Sequence, residues 1–238
     1  MRAHIERMFK TWRLGTLLGF PVEINFSFLL LLGFVFIALG GLPGVVIVCL
    51  TFASVLLHEL GHALVARRLG VHTTGIELGF FGGAAKMVDI PRNARDEIEI
   101  AAAGPIVSLA LAGLGLGLGA VTHLTIISWI GWTNLVLALF NLIPALPMDG
   151  GRILRAALTT RMSFVRATDV SVTVSRVAAI AFAIGGLLLG AYQLVFLAPF
   201  LWMLGNREKL MARMATRAPR GFAMRQTADG RFVIEDRY

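Results

Sequence analysis

Two histidines and one glutamate have the spacing of a metal site and lie inside an apolar stretch of this chain. His58 and His62 are four residues apart, so a helix would place both imidazoles on one face, within reach of one zinc ion. Glu59 would then be placed to work on a water molecule at that ion. The spacing therefore predicts a hydrolytic zinc site, and the alternative is two core histidines that hydrogen-bond to neighbouring carbonyls.

A catalytic zinc site usually has three protein ligands, so the two histidines need one more donor. Asp149 is the best candidate, because two prolines and two glycines in residues 141–151 should stop or unwind the preceding helix. Irregular backbone at membrane depth is tolerated where it is shielded or lines a wet cavity. We therefore expect Asp149 to turn back toward the depth of His58 and His62.

Other histidines and acidic residues are weaker candidates for the metal site. His123 is predicted on the opposite side of the membrane, His72 lies in a strand-like surface segment, and His4 lies in the N-terminal tail. Acidic residues also open the third predicted helix, where they offset the helix dipole without a catalytic role. These residues are Asp96, Glu97 and Glu99.

The composition places the motif in a membrane. Of the 238 residues 57% are hydrophobic, and the mean hydropathy of +0.77 exceeds that of a usual soluble globular chain. A carboxylate inside a membrane helix costs about 2.5 kcal/mol or more, so Glu59 requires a polar cavity or a buried partner. We therefore predict an α-helical polytopic membrane protein with the metal site at membrane depth.

Apolar runs predict about six transmembrane helices, with a small β-hairpin or sheet at residues 71–90 between the second and third helices. A membrane-embedded domain would cover residues 1–206, and a basic cytoplasmic tail would cover residues 207–238. The six predicted helices cover residues 26–41, 44–66, 97–120, 124–145, 171–190 and 192–206.

The basic residues predict the orientation. If the first helix runs outward from a cytoplasmic N-terminus, the outer loops contain no lysine or arginine, and all 22 lie on the cytoplasmic side or close to it. We therefore expect a multi-pass protein of the inner cell membrane, with both termini and the active site toward the cytoplasm. The net charge of +8 then belongs to flanks that meet anionic membrane lipids. We expect no nucleic-acid partner, since no recognition motif accompanies the basic tail.

Three separated blocks resemble the site-2 protease family of intramembrane zinc metalloproteases, over about residues 20–205. The residues from His58 to His62 match the zinc-binding motif, and those from Ala101 to Pro105 resemble the Ala-Gly-Pro block that begins the third helix. Residues 141–151 are similar to the Asn…Pro…Asp-Gly motif that carries the third ligand. Ser108 departs from the pattern, since relatives often have asparagine after Gly-Pro. The chain also differs from relatives with a PDZ insertion or a CBS pair, because it is too short for either.

The resemblance implies a function and a role for each site residue. His58, His62 and Asp149 would bind one catalytic Zn²⁺, Glu59 would act as general base and acid, and Asn141 would orient the substrate or polarise its carbonyl. The implied activity is hydrolysis of a peptide bond in or near a transmembrane segment of a membrane-protein substrate. Such a segment must unwind before attack, and the strand-like segment could hold it extended or be a purely structural loop.

Two other classes of function could use the same residues. An ion- or metal-coupled transporter could relay protons or carry a metal ion through the histidines and carboxylates, although no clear inverted repeat supports it. A catalytically inactive binding or assembly protein could keep the fold, although the intact ligand set argues against this alternative.

Overall fold

The computed structural model describes residues 11–38, 41–80, 82–87 and 93–217, together with two short C-terminal strands, and it is mostly helical. The helices are α1 (Phe26–Ala38), α2 (Leu42–Arg68), α3 (Ala94–Thr122), α4 (Thr125–Asn141), α5 (Asp149–Thr159), α6 (Phe164–Leu188) and α7 (Tyr192–Arg217). The strands are β1 (Thr11–Leu17), β2 (Phe20–Asn25), β3 (Thr73–Gly79), β4 (Gly82–Met87), β5 (Phe222–Gln226) and β6 (Phe232–Asp236).

The predicted helical architecture is confirmed, and its details differ. Helices α1, α2, α3, α4, α6 and α7 lie near the six predicted positions, whereas α5 was not predicted. Within the described residues, α2, α3 and α6 are long and apolar enough to cross a membrane, and α1 and α4 are shorter apolar helices. The count of six spans stays a prediction. Helix α4 ends at Asn141 instead of residue 145, because Pro144 disfavours helical backbone at the residue before it.

The predicted hairpin between the second and third helices is confirmed as β3 and β4, and it belongs to a larger sheet. The strand order is β1-β2-β3-β4, with β2 parallel to β3 and the other neighbours antiparallel. Strands β1 and β2 were not predicted from the sequence. Strand β2 alternates buried Phe20, Val22 and Ile24 with half-buried residues, which is the period-two pattern of a strand with one face in the core.

The chain forms two compact units. The first unit contains β1–β4, α1, α2, α3 from Ala103 onward and α4 through Ala138. Its core joins one face of the sheet to α1 and α2: Phe20, Ile24, Ile76 and Leu78 pack with Phe28, Phe52, Leu60 and Ala63. Because Leu60 lies within the histidine motif of α2 and Ala63 directly follows it, this core fixes the motif against the sheet.

A charged cluster on the sheet anchors its edge strand. Lys86 of β4 forms two ion pairs. Its Nζ lies 3.1 Å from Glu23 Oε2 of β2 and 2.6 Å from Glu77 Oε2 of β3. Burial alone would lower the pKa of Lys86, but the hydrogen bonds and charges of Glu77 and Glu23 together outweigh burial and raise this pKa. These pairs hold a strand whose glycines and alanines provide little side-chain packing.

The second unit contains the first residues of α3, the end of α4, and α5 through α7. Arg155 of α5 links three of its helices: Nε donates to Glu97 Oε1 of α3 at 3.1 Å, and Nη1 donates to Glu208 Oε2 of α7 at 3.1 Å. The sequence predicted that Glu97 only offsets a helix dipole. In the structure Glu97 is 6% exposed and forms a buried ion pair with Arg155. The ion pairs hold α5, and therefore its first residue Asp149, against α3 and α7.

Candidate active site

The histidine motif forms a compact buried group on α2. His58 and His62 are each 2% exposed, and their ring centroids lie 4.8 Å apart. One nitrogen of each ring and one carboxylate oxygen of Glu59 lie within 4.8 Å of one another. The helical spacing read from the sequence therefore brings these three side chains together. Among the described residues, it is the one place where three or more histidine, cysteine, aspartate or glutamate side chains lie close enough together to hold a metal ion.

A serine on α3 fixes the orientation of the first histidine. The Oγ atom of Ser108 lies 2.9 Å from Nδ1 of His58, and both side chains are buried. With Nδ1 held by Ser108, Nε2 of His58 is directed toward Gly104, and such a partner fixes the ring and tunes a ligand's basicity. The sequence analysis noted Ser108 only as a departure from the family pattern. Its position one helical turn after Gly104 was the available signal for a role at the site.

Gly104 of α3 lies directly against both imidazoles. A Cβ atom at this position would overlap Nε2 of His62 and would come within 2.6 Å of Nε2 of His58. A similar close approach occurs at Gly61 of α2, where a Cβ atom would lie 3.0 Å from the carbonyl oxygen of Ala103. Small residues thus bring α2 and α3 together and place two nitrogen donors side by side at Gly104. Two imidazole nitrogens with the Glu59 carboxylate close by are a donor set that fits a zinc ion.

We expect Gly104→Ala to weaken zinc binding by more than about tenfold, because the new methyl group would displace both imidazoles from their positions. Competition with a chromophoric chelator measures the zinc affinity. Gly113→Ala on the same helix is the matched control, since a Cβ atom at Gly113 would meet nothing within 4 Å. Equal zinc affinities for the two variants would contradict this description of the site.

The edge of the sheet lies against Glu59. The backbone N–H of Ala85 in β4 donates a hydrogen bond to Glu59 Oε2 at 3.0 Å. Strand β4 is the last strand in the sheet order, and Ala85 is aligned with Ile76 of β3. The half-buried carboxylate of Glu59 therefore has a polar partner within the apolar surroundings of α2, as its predicted position in a membrane requires.

Asp149 and Asn141 lie in the second unit, whereas the histidine motif lies in the first. Asp149 is the first residue of α5 and is 6% exposed, and its Oδ1 lies 4.0 Å from Nη1 of Arg152. Asn141 is the last residue of α4 and is half-buried. A Cβ atom at Gly150 would come within 2.5 Å of the carbonyl oxygen of Ile143, so the glycine lets the irregular segment fold back tightly onto α5. The predicted metal role of Asp149 stays a prediction.

The histidines that the sequence analysis set aside lie elsewhere. His72 and His123 are both exposed, and neither belongs to the metal-capable group among the described residues. His4 lies outside the described residues.

The family model for peptidase family M50 matches residues 45–127 and 118–184. A zinc metalloprotease of Methanocaldococcus jannaschii is 34% identical over 215 residues, which cover 86% of this chain and 62% of that protein. Rip3 of Mycobacterium tuberculosis is 35% identical over 228 residues, which cover 82% of this chain and 58% of that protein. The chain therefore spans about three fifths of the length of these two relatives.

A solved structure has the same fold. The site-2 protease from Methanocaldococcus jannaschii is 33% identical and aligns with a TM-score of 0.65, covering 84% of this chain and 95% of that one. None of these comparisons supports a transporter. The matched residues include the histidine motif, Gly104 and Ser108, and the match covers more than half of the chain. The chain belongs to peptidase family M50, the family of the site-2 proteases.

Proposed function

We propose that this protein is an intramembrane zinc metalloprotease that hydrolyses a peptide bond in or near a transmembrane segment of a membrane-protein substrate. The observation that carries the proposal is the convergence of His58 and His62 at Gly104, with Glu59 beside them. Membership of a peptidase family supports the reaction, and relatives named zinc metalloproteases support the metal.

In this proposal His58 and His62 hold Zn²⁺ through Nε2, and Asp149 completes the ligand set. When bound, zinc activates the attacking water and polarises the scissile carbonyl. Ser108 keeps the ring of His58 in its binding orientation. The assignment of Asp149 rests on its buried carboxylate and on the resemblance of residues 141–151 to the third-ligand motif. Asn141 would orient the substrate or polarise its carbonyl.

Glu59 would move the protons of the reaction. Its Oε2 accepts the N–H of Ala85, so Oε1 is the oxygen that would take a proton from the attacking water. The same carboxyl group would then give this proton to the leaving nitrogen of the substrate. Because the hydrogen bond from Ala85 orients the carboxylate, the backbone of β4 takes part in positioning the base.

We further propose that the apolar parts of six helices, α1–α4, α6 and α7, lie in the inner cell membrane, with both termini and the active site toward the cytoplasm and residues 207–238 as a cytoplasmic tail. The three candidate spans α2, α3 and α6 support the membrane location. The distribution of all 22 basic residues supports the orientation, since the outer loops of this arrangement contain none. The substrate would then be a transmembrane protein, and the basic flanks would contact anionic lipids.

Removal of the metal tests the proposed function directly. The purified chain, reconstituted in vesicles with a single-span model substrate, is expected to lose cleavage activity by at least about 100-fold after chelation, because the metal contributes several kcal/mol to transition-state stabilisation. One equivalent of zinc should restore cleavage, as measured by gel analysis of the products. Cleavage that survives chelation would contradict the proposal. Metal flux across the vesicle without cleavage would instead favour a transporter.

The edge strand β4 is the proposed place at which an unwound substrate segment is held in an extended conformation. Ala85→Pro removes the N–H that faces Glu59, and proline is tolerated at sheet edges. We expect this variant to cleave the transmembrane substrate about tenfold more slowly, because a hydrogen bond to a charged group contributes about 1.5 kcal/mol or more. Ala85→Ser keeps the N–H and is the control. Unchanged cleavage by a folded Ala85→Pro variant would leave β4 with a structural role only.

A further inference from the structure

A groove of about 320 Å³ runs between α6 and α7, in the second unit. Small side chains on both helices, and a proline within α7, keep it open. The lining residues are Ala179, Ile180 and Ala183 of α6 and Ala198, Pro199 and Trp202 of α7. The groove is apolar and is open along one side. It is therefore able to hold a narrow hydrocarbon chain.

Arg176 of α6 lies at one end of this groove, beside the lining residue Trp202. Arg176 precedes Ala179 and Ile180 by about one helical turn, so it lies on the same face of α6. Its guanidinium carbon lies 5.0 Å from the centre of the Trp202 ring, and its Nη2 donates to Asn206 Oδ1 at 2.7 Å. The groove is thus amphipathic, with an apolar body and a cationic end.

The charge of Arg176 is not neutralised by the residues that the structure describes. Its Nε is buried without a hydrogen-bond partner, and no described carboxylate lies within ion-pair distance. Arg176 also lies on a helix that is apolar enough to span a membrane, about one and a half turns past residue 171, where the span is predicted to begin. A cation inside such a helix is costly and normally faces a counter-charge or a functional partner. Arg176 therefore requires an anion from outside the described chain.

We propose that this groove binds one membrane glycerophospholipid, with the phosphodiester on Arg176 and Asn206 and one acyl chain between α6 and α7. A guanidinium suits a phosphate because it offers parallel N–H donors to two oxygens. The distance along α6 from Arg176 to Ala183 is about 10 Å, which is enough for part of an acyl chain. Neither the proposed metal site nor the catalytic residues take part.

The basic residues beyond the groove favour a lipid over a peptide or a second copy of the chain. Arg207 follows Asn206 directly on α7 and is exposed, so positive charge continues past the cationic end of the groove, whereas Lys209 is paired with Asp169 of α6. A basic juxtamembrane surface attracts anionic head groups. The occupant must therefore combine a negative head group at this end with an apolar chain toward the turn between α6 and α7. An anionic phospholipid of the adjacent leaflet has this chemistry.

Trp202 provides the test because it lines the groove. The other tryptophans, Trp12, Trp129 and Trp132, are replaced by phenylalanine, and the full chain is reconstituted in phosphatidylcholine vesicles with increasing fractions of phosphatidylglycerol that carries brominated acyl chains. Bromine quenches tryptophan fluorescence on contact. We expect quenching of Trp202 that saturates at a low fraction of the brominated lipid, and Arg176→Gln should shift the midpoint at least tenfold higher.

Two further variants separate the proposed site from general effects. Arg166→Gln removes the same charge from an exposed position of the same helix and should leave the midpoint unchanged. Ala183→Phe fills the groove without touching Arg176 and should abolish the saturable quenching, which keeps the test decisive if Arg176→Gln fails to fold. Equal midpoints for Arg176→Gln and Arg166→Gln would overturn the proposal. Saturable quenching in Ala183→Phe would also overturn it. The same holds if no lipid quenches Trp202, because protein would then cover the groove.

Discussion

Replacement of Glu59 by glutamine is expected to lower peptide-bond hydrolysis by about 10²- to 10⁴-fold while the chain still binds zinc. Glutamine has nearly the same shape as glutamate, and its amide oxygen can still accept the N–H of Ala85. It cannot accept a proton from the attacking water at neutral pH, so the chemical step fails in a site that is otherwise intact. Cleavage of the reconstituted substrate and zinc content of the same preparation are the two measurements.

Glu99→Gln is the matched control for this prediction. Glu99 lies on α3 and pairs with Arg95 within its own helix, at a well-exposed position. Its replacement removes the same charge and should leave cleavage unchanged. If Glu59→Gln retained full cleavage, Glu59 would have no role as general base. If it lost zinc as well, the loss of activity would report on the metal and not on proton transfer.

The loss of the third proposed ligand should have the second large effect. We expect Asp149→Ala to weaken zinc binding by more than about 100-fold, because removal of a partner that only supports a ligand already costs about 10- to 100-fold. Metal analysis of the purified variant beside the unmodified chain measures this change directly. Cleavage should fall in parallel and should recover in part at high zinc concentration, since the two imidazoles and Glu59 remain.

Asp96→Ala serves as the control, because Asp96 is an acidic residue of α3 that contacts Asn93 near the start of its helix. It should keep its zinc. A full zinc complement in Asp149→Ala would show that another group supplies the third donor, and it would leave the motif at residues 141–151 with a structural role.

The features that the sequence predicted well depend on local patterns. The spacing of His58 and His62 fixes their common face because a helix repeats every 3.6 residues. Long apolar runs predicted the positions of α2, α3 and α6, because about 20 consecutive apolar residues are needed to cross a bilayer as a helix. The hairpin of β3 and β4 followed from glycines interleaved with apolar residues. Each of these signals lies within one element and requires no partner elsewhere in the chain.

The features that the sequence analysis missed depend on contacts between distant residues. Strand β2 pairs with β3 across about fifty residues of sequence, and its three buried positions are too few to stand out beside the first apolar helix. The ion pairs of Arg155 join α5 to residues far away on α3 and α7. Ser108 acquires its role only because α3 packs against α2 at Gly104. Such roles emerge from tertiary packing, which a single sequence without an alignment does not display.

The hydrogen bond from Ala85 to Glu59 has a consequence for substrate choice. One amide hydrogen serves one acceptor well, so a stretched polypeptide that aligned along β4 would have to pair with the other main-chain groups of that strand and leave Glu59 its donor. A segment that stays coiled offers no free carbonyl to those groups. Selection against intact membrane helices would then arise from the few main-chain donors that Glu59 does not occupy, and the amide chemical shift of Ala85 would stay unchanged when a substrate docks.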